Sequence, residues 1–123
     1  MLQTRYVAIV DDDDDVRTAL STLLRAYGLD TRTYASGPDF LKALPFAVPN
    51  FLITDVNMPE MTGPELQGEL ARRGLRIPTV VITGYDDKNL RDKSRALGAV
   101  AYLQKPVESD TLIAAISPYL EPK

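Results

Sequence analysis

The sequence of 123 residues contains neither histidine nor cysteine. Without an imidazole there is no histidine general base, no serine triad, no histidine-ligated zinc and no histidine to carry a phosphoryl group. Without a thiol there are no disulfides, no thiolate catalysis and no cysteine-ligated metal, which is consistent with a reducing compartment. Any bound metal is therefore expected to be a hard cation held by oxygen, namely magnesium, manganese or calcium.

Long apolar runs are also missing. No stretch approaches the roughly 18 consecutive apolar residues of a membrane span, and residues 1–5 lack the apolar core of a signal peptide. The protein is therefore expected to be cytoplasmic, without a membrane partner. Its net charge of -3 and the lack of a lysine or arginine cluster argue against direct binding of nucleic acid. The length allows a single domain, expected to span residues 1–123.

Short apolar runs alternate with amphipathic segments along the whole chain. Strands are predicted at the short apolar or β-branched runs, which are 6–10, 31–34, 51–54, 77–83 and 100–103. Helices are predicted where apolar residues recur at helical spacing, at 16–27, 39–44, 63–73, 88–97 and 109–119. Pro118 predicts an irregular last turn in the fifth helix. The alternating order predicts a parallel sheet with helices on both faces.

Polar side chains follow four of the five predicted strands. They are Asp11 and Asp12 after the first strand, Asp55 after the third, Thr83 after the fourth and Lys105 after the fifth. In a parallel α/β sheet these strand ends lie on one edge, so we expect the side chains to converge in one crevice. Converging carboxylates repel one another and raise each other's pKa values unless a cation neutralises them. The pattern therefore predicts an oxygen-ligated divalent ion, with magnesium as the first choice.

The same group of residues can perform phosphoryl transfer. With magnesium bound, Asp55 can act as a nucleophile toward phosphorus, while Lys105 supplies a positive charge and Thr83 a hydroxyl to the phosphoryl oxygens. The product is an aspartyl phosphate, which adds a charge of roughly -1.5 to -2. A charge of that size is large enough to reorganise the adjacent loops.

Four segments that carry these residues, at 9–13, 54–63, 81–84 and 102–106, together resemble the motifs of the receiver domain of two-component response regulators. The resemblance covers essentially the whole chain. It implies a flavodoxin-like, doubly wound α/β fold, with a five-stranded parallel sheet in the order 2-1-3-4-5 and five helices. It also implies phosphorelay signal transduction, so the chain is expected to be a signalling phosphoprotein and not a turnover enzyme.

The resemblance implies a role for each carboxylate in the crevice. Asp55 is the implied phosphoacceptor. The implied magnesium ligands are Asp11, Asp12, Asp55 and the backbone carbonyl of Asn57, with manganese as an alternative ion. A shift of the metal pair by one residue, to Asp12 and Asp13, also fits the run of five aspartates. The remaining members of that run fit a solvated loop in which one carboxylate caps the first helix.

Further residues are implied to bind the phosphoryl group and to transmit its presence. The resemblance implies that Thr83 and Lys105 bind the phosphoryl group and that the bond from Lys105 to Pro106 is cis. It also implies that Thr83 and Tyr102 form the switch: Thr83 moves toward the phosphoryl group and Tyr102 turns inward. The surface of the fourth helix, fifth strand and fifth helix then changes and forms the output.

The phosphoryl donor must be another protein, because the chain has no histidine. The resemblance implies a histidine kinase or a histidine phosphotransfer protein, docking near the first helix and the crevice. The output surface carries charges of both signs, so a homodimer on phosphorylation and a different partner both fit. The chain ends at residues 122–123 without a recognition helix or a basic arm. We therefore expect a stand-alone receiver, with the regulatory part of a longer protein such as a transcription factor as the alternative.

Three other classes of protein compete with this interpretation. An enzyme of the haloacid dehalogenase type needs a second acid two residues after its nucleophilic aspartate, and Asn57 occupies that position. A flavodoxin-like cofactor binder would cradle phosphate in the loop after the first strand, where five aspartates repel it. A pseudo-receiver, which folds but is never phosphorylated, is disfavoured by the complete set of site residues, namely Asp11, Asp12, Asp55, Thr83 and Lys105.

Overall fold

The computed structural model describes residues 6–120, in which five strands alternate with five helices. The strands are β1 Tyr6–Val10, β2 Asp30–Tyr34, β3 Phe51–Asp55, β4 Thr79–Thr83 and β5 Ala99–Gln104. The helices are α1 Asp14–Ala26, α2 Gly37–Ala43, α3 Gly63–Arg72, α4 Lys88–Ala96 and α5 Ser109–Leu120. Residues 1–5, which were predicted not to form a signal peptide, and residues 121–123 lie outside this description.

The five strands form one parallel sheet in the order β2-β1-β3-β4-β5. This confirms the predicted doubly wound, flavodoxin-like fold. The chain runs from β1 outward to β2, crosses back over β1 to β3, and then continues outward through β4 to β5. The carboxyl ends of β1 and β3 therefore flank the point where the winding reverses, which is the usual place for a binding crevice in such sheets.

Side chains of the central strands alternate between two separate cores. Every residue of β1, β3 and β4 is buried, which explains why these strands have continuous apolar sequences. Val7 and Ile9 face a core shared with α1 and α5. To this core α1 contributes Leu20 and Leu24, and α5 contributes Ile116. The opposite core lies under α2 and α3, and its members include Tyr6, Ala8, Val10, Phe40 and Leu66. Burial on both faces holds the strand ends, and therefore the crevice, in fixed positions.

Local hydrogen bonds define where the helices begin and end. Asp13 caps α1 by accepting hydrogen bonds from the backbone N–H groups of Asp15 (2.8 Å) and Val16 (3.2 Å). The predicted aspartate cap is thus Asp13, and the helix begins at Asp14, two residues earlier than the apolar periodicity predicted. Gly28, in the left-handed region at φ +83°, follows the end of α1.

α5 continues through Pro118 to Leu120, one residue beyond the predicted range, so the proline does not end the helix. Proline lacks one N–H, so a helix that contains it loses one hydrogen bond without having to stop. One turn before the end, the hydroxyl of Ser117 donates a hydrogen bond of 2.7 Å to the carbonyl of Ile113. β4 also begins later than predicted, at Thr79, since Pro78 before it has no N–H to donate to a neighbouring strand.

Between residues 6 and 120, no helix combines the length and the apolar character needed to cross a membrane.

Candidate functional site

The predicted site residues lie along the carboxyl edge of the sheet. Asp11 follows β1, Asp55 and Thr83 are the last residues of β3 and β4, and Lys105 follows β5. The structure brings together Asp11, Asp12, Asp55 and Lys105. The hydroxyl of Thr83 belongs to the same edge but is bonded to its own loop. The sheet topology therefore produces the convergence that the sequence pattern predicts.

Asp11 is fully buried, and neighbouring groups hold both its backbone and its carboxylate. Its N–H donates to the carbonyl of Tyr34 at 3.1 Å, and its carbonyl accepts from Nη1 of Arg17 at 2.6 Å. Carboxylate Oδ1 accepts a hydrogen bond of 2.9 Å from the backbone N–H of Asp13. Oδ2 lies 3.0 Å from Nζ of Lys105, which is an ion-pair distance. These contacts leave Asp11 one orientation, toward the crevice.

Three carboxylates form a candidate metal cluster. Asp11, Asp12 and Asp55 each offer one oxygen, and these oxygens lie within 4.8 Å of one another. The carboxylate of Asp13 is used as the α1 cap instead, so the structure groups the originally predicted pair and not the shifted one. Carboxylate oxygens are the ligands that magnesium and manganese prefer. In addition, Asp11 Oδ2 is buried and has no partner besides the ammonium of Lys105, so the donor set fits a hard divalent cation.

The surroundings of Asp55 make its negative charge unfavourable without a cation. Burial, and then the charge of Asp11, raise the pKa of Asp55 from its ordinary value near 3.8 to about 6. Lys105 and a backbone hydrogen bond from Asn57 act in the opposite direction but do not compensate fully. Asn57 itself is exposed, and its predicted role as a carbonyl ligand stays a prediction. The crevice therefore has an excess of negative charge that a divalent ion would balance.

Lys105 is the cation already present in the crevice. Its Nζ lies 3.0 Å from Asp11 Oδ2 and 3.5 Å from Asp55 Oδ2. Burial lowers the pKa of Lys105, but the two carboxylates outweigh this effect and leave the pKa above its usual value. The backbone N–H of Lys105 donates to the carbonyl of Thr83 at 2.7 Å, and the peptide bond to Pro106 is cis, as predicted. Lys105 is thus held as a permanent ammonium between the two acids.

The two predicted switch residues differ in how they are bonded. Thr83 is fully buried, and its hydroxyl donates to the carbonyl of Tyr85 at 2.6 Å and accepts from the Tyr85 N–H at 3.1 Å. Tyr102 is half-buried on β5, opposite Val81 of β4. The hydroxyl of Tyr102 is enclosed by protein and has no hydrogen-bond partner among the described residues. Their roles as a switch stay a prediction.

Two residues that contact the site were not predicted from the sequence. Arg17 contacts the Asp11 carbonyl, and a sequence signal for it existed: with Leu20 and Leu24 it occupies the buried stripe of α1, where a charged residue is unusual. Gly63, the first residue of α3, leaves no room for a side chain, since a Cβ there would lie 2.7 Å from the backbone oxygen of Asp55. No pattern in the sequence reports that approach.

The arrangement combines a buried nucleophilic carboxylate, two further acids for a cation, and a fixed ammonium. A carboxylate in such a setting can attack an electrophilic phosphorus, while cations balance the charge on the phosphoryl oxygens. The described residues contain no histidine or cysteine that could act as an alternative nucleophile. The chemistry that the geometry supports is therefore phosphoryl transfer to Asp55.

Comparison with known proteins identifies one group of relatives. The family model described as response regulator receiver domain matches residues 7–117. The chain is 38% identical over 114 residues to the response regulator protein TmoT of Ectopseudomonas mendocina, covering 93% of the chain and 52% of TmoT. It is also 38% identical over 119 residues to the transcriptional regulatory protein FixJ of Azorhizobium caulinodans, covering 94% of the chain and 55% of FixJ.

The fold comparison agrees with these relatives. The crystal structure of FixJ-N superimposes with a TM-score of 0.86 at 34% identity, covering 99% of the chain and 100% of FixJ-N. The structure of the response regulator StyR gives a TM-score of 0.86 at 36% identity, covering 95% of the chain and 59% of StyR. The chain spans about half the length of the curated relatives it matches. The likeness therefore concerns one region of those longer proteins.

Proposed function

Because the chain belongs to the family of response regulator receiver domains, we propose that Asp55 accepts a phosphoryl group from a histidine kinase or a histidine phosphotransfer protein. The observation that carries the proposal is the position of Asp55, at the end of β3 and within reach of Asp11, Asp12 and Lys105. A carboxylate oxygen of Asp55 attacks phosphorus, and the bond from phosphorus to the donor imidazole nitrogen breaks. The imidazole keeps that electron pair and takes up a proton.

The proposed magnesium ligands are the carboxylates of Asp11, Asp12 and Asp55 and the backbone carbonyl of Asn57. When bound, magnesium supplies positive charge to the phosphoryl oxygens and reduces the repulsion among the carboxylates. Lys105 supplies a second positive charge, which its ion pairs with Asp11 and Asp55 already aim into the crevice. The burial of Asp55 excludes water from the nucleophile before the donor arrives.

The proposed signal begins at the hydroxyl of Thr83. To donate to a phosphoryl oxygen, this hydroxyl must give up its hydrogen bond to the carbonyl of Tyr85. The loop after β4 leads directly into α4, so a change there alters the surface made by α4, β5 and α5. Tyr102 lies on β5 within that surface. We propose that the change in hydrogen bonding of Thr83 is coupled to the orientation of Tyr102, and that these two residues together form the two-state element.

A groove beside the site fits the proposed docking of the phosphoryl donor. It has a volume of about 450 Å³ and lies between α1 and the loop after β5. Its lining is mainly apolar and includes Val16, Ala19, Pro106 and Val107, with Lys105 at one side. A helix of a kinase or phosphotransfer protein can bury an apolar face there and bring its phosphohistidine to the crevice. This proposal includes a cytoplasmic location, where such donors act.

The proposed output is a protein contact and not a turnover reaction. The residue two positions after Asp55 is Asn57, whose amide cannot protonate a leaving group as an acid would. The longer relatives are named as response regulators and a transcriptional regulatory protein. We propose that residues 1–123 act as one receiver domain, whose phosphorylated surface binds an output domain, a separate partner or a second receiver. No direct contact with nucleic acid is proposed for this chain.

Incubation with the small donor phosphoramidate and magnesium, followed by intact-mass measurement, tests the phosphoacceptor. The wild-type protein is expected to gain one phosphoryl group, and chelation of magnesium by EDTA is expected to suppress the gain. The matched control is Asp55→Asn, which keeps the size of the side chain and is expected to gain none. Retention of the modification in Asp55→Asn, or no gain in the wild type with magnesium, would contradict the proposal.

A further inference from the structure

We propose that Arg17 is a positioning residue for the magnesium site, acting through the backbone of Asp11. This inference rests on the proposed function, since it concerns the ion that Asp11, Asp12 and Asp55 would hold. Arg17 lines a separate groove together with Ser21 and Thr33. Its Nη1 donates a hydrogen bond of 2.6 Å to the carbonyl of Asp11, in the loop that joins β1 to α1.

The guanidinium of Arg17 is held in place between α1 and this loop. Its side chain is only 17% exposed, although it lies on the first turn of a surface helix. The second guanidinium nitrogen forms an ion pair with Asp14, whose side chain is 86% exposed. An ion pair with so exposed a partner contributes little. The contact that matters is therefore the partly buried, charge-assisted hydrogen bond to the Asp11 carbonyl.

This hydrogen bond fixes the peptide plane between Asp11 and Asp12. The carbonyl of Asp11 and the N–H of Asp12 belong to one rigid unit, so holding the carbonyl sets the direction in which Asp12 leaves it. Between residues 6 and 120 no hydrogen bond holds the carboxylate of Asp12, and the residue is exposed. The Asp11 side chain, in contrast, is bonded to the N–H of Asp13 and paired with Lys105. Asp12 therefore depends on Arg17 for its orientation.

Arg17 has two effects on a bound cation, and they oppose each other. Its positive charge repels a divalent ion, so Coulomb's law alone predicts that removal of the charge strengthens magnesium binding. Its hydrogen bond orders two of the ligands, so loss of positioning weakens binding. Changes in residues that orient metal ligands typically cost about 10-fold to 100-fold in affinity. The direction of the change in magnesium affinity therefore decides which effect is the larger.

The experiment is a calorimetric titration of magnesium into the wild type and six variants, of which Asp12→Asn and Arg17→Gln serve as controls. Arg17→Met keeps the length of the stem and is expected to weaken binding about 10-fold or more. Arg17→Lys keeps the charge and one donor, and it is expected to recover part of the loss. Asp14→Asn breaks only the exposed ion pair and is expected to change affinity less than about 3-fold. Arg25→Met removes the same charge from the exposed end of α1 and is expected to leave binding unchanged or slightly stronger.

The outcomes separate this inference from the proposed function. Magnesium binding by Arg17→Met that equals or exceeds the wild type overturns the inference, as does equal weakening in Arg25→Met. Failure of the wild type to bind magnesium, or unchanged binding in Asp12→Asn, would instead contradict the proposed metal site. Thermal unfolding in EDTA reports whether each variant folds. If Arg17→Met does not fold, Arg17→Lys and Arg17→Gln take its place. The inference is overturned if both of these variants bind magnesium with the affinity of the wild type.

Discussion

The hydroxyl of Thr83 is bonded to the backbone of Tyr85, as a donor to its carbonyl and as an acceptor from its N–H. The O–H donor of the residue proposed to bind the phosphoryl group is therefore already in use before phosphorylation. Both partners are backbone groups, so the identity of the Tyr85 side chain, which is 74% exposed, does not affect them. In the proposed activation, the bond that Thr83 donates to the Tyr85 carbonyl is exchanged for one to a charged phosphoryl oxygen, which is the stronger kind.

Replacement of Thr83 is expected to separate phosphorylation from output. In Thr83→Ala, Asp55 should still bind beryllofluoride, because the aspartate cluster and Lys105 are unchanged. The changes in backbone NMR shifts along β5 that accompany binding in the wild type should be reduced several-fold. Thr83→Ser, which keeps the hydroxyl, is the matched control and should respond like the wild type. Full β5 shift changes in Thr83→Ala would show that the signal does not pass through this hydroxyl.

Removal of the ammonium of Lys105 is expected to destabilise the metal-free protein. In Lys105→Met the carboxylates of Asp11 and Asp55 lose their cation while staying buried, which costs about 2 kcal/mol for a partly exposed pair of this kind. Magnesium should restore part of the loss, because an ion that binds only the folded state stabilises it. Urea unfolding in EDTA and in excess magnesium measures both effects. A variant as stable as the wild type in EDTA would contradict the role of Lys105 as counter-ion.

Asp55 is expected to make the metal-free protein less stable as pH rises. Its pKa of about 6 in the folded state exceeds the ordinary value near 3.8, so between these values the folded state binds more protons than the unfolded state. The contribution of Asp55 to stability therefore falls as pH rises from about 4 to about 6, by at most about 3 kcal/mol. Above pH 6 the whole penalty is present.

The comparison of wild type with Asp55→Asn isolates this contribution, because the other carboxylates titrate in both proteins. In EDTA at pH 7, Asp55→Asn is expected to be more stable than the wild type, and the difference should shrink toward pH 4. Urea unfolding at several pH values gives the difference directly. A difference that is independent of pH would mean that the pKa of Asp55 is ordinary in the folded protein.

Gln67 is expected to stabilise the last turn of α4. Its buried side chain donates from Nε2 to the carbonyl of Ser94 at 3.1 Å, where the N–H of Gly98 has turned away to Arg95. Carbonyls in a last helical turn have no partner within the helix, so this bond satisfies a group that would otherwise be buried unpaired. Gln67→Met should cost about 1–2 kcal/mol of unfolding free energy. Gln104→Met, which changes an exposed glutamine, should cost nothing measurable in the same urea experiment.

The fold could be predicted because its signals are local and repeated. Each buried strand is an apolar run, each helix has a stripe, and alternation of the two permits few parallel arrangements. The convergence of Asp11, Asp55 and Lys105 followed from that topology without any knowledge of contacts. The start of α1 at Asp14 could not be predicted, because the apolar stripe begins only at Val16 and the first helical turn is acidic.

The details that sequence did not reveal depend on three-dimensional contacts between distant groups. The bond of Thr83 to the Tyr85 backbone has no residue signature, because any residue supplies a carbonyl and an N–H. The orientation of Arg17 toward Asp11 depends on the rotamer of a long side chain. The assignment of Asp13 as the cap of α1 required the backbone geometry of the loop. In each case the sequence restricts the candidates and the geometry selects among them.

The close approach of Gly63 to the backbone oxygen of Asp55 has a consequence for mutational scans of this chain. A scan scored by signalling output should find Gly63 nearly as intolerant as Asp55, since even alanine would press a methyl group 2.7 Å from that oxygen and displace the nucleophile. Intolerance alone would then suggest a chemical role for a residue that has no side chain. Magnesium affinity would distinguish the two positions: Asp55→Asn removes a proposed ligand, whereas Gly63→Ala only displaces it.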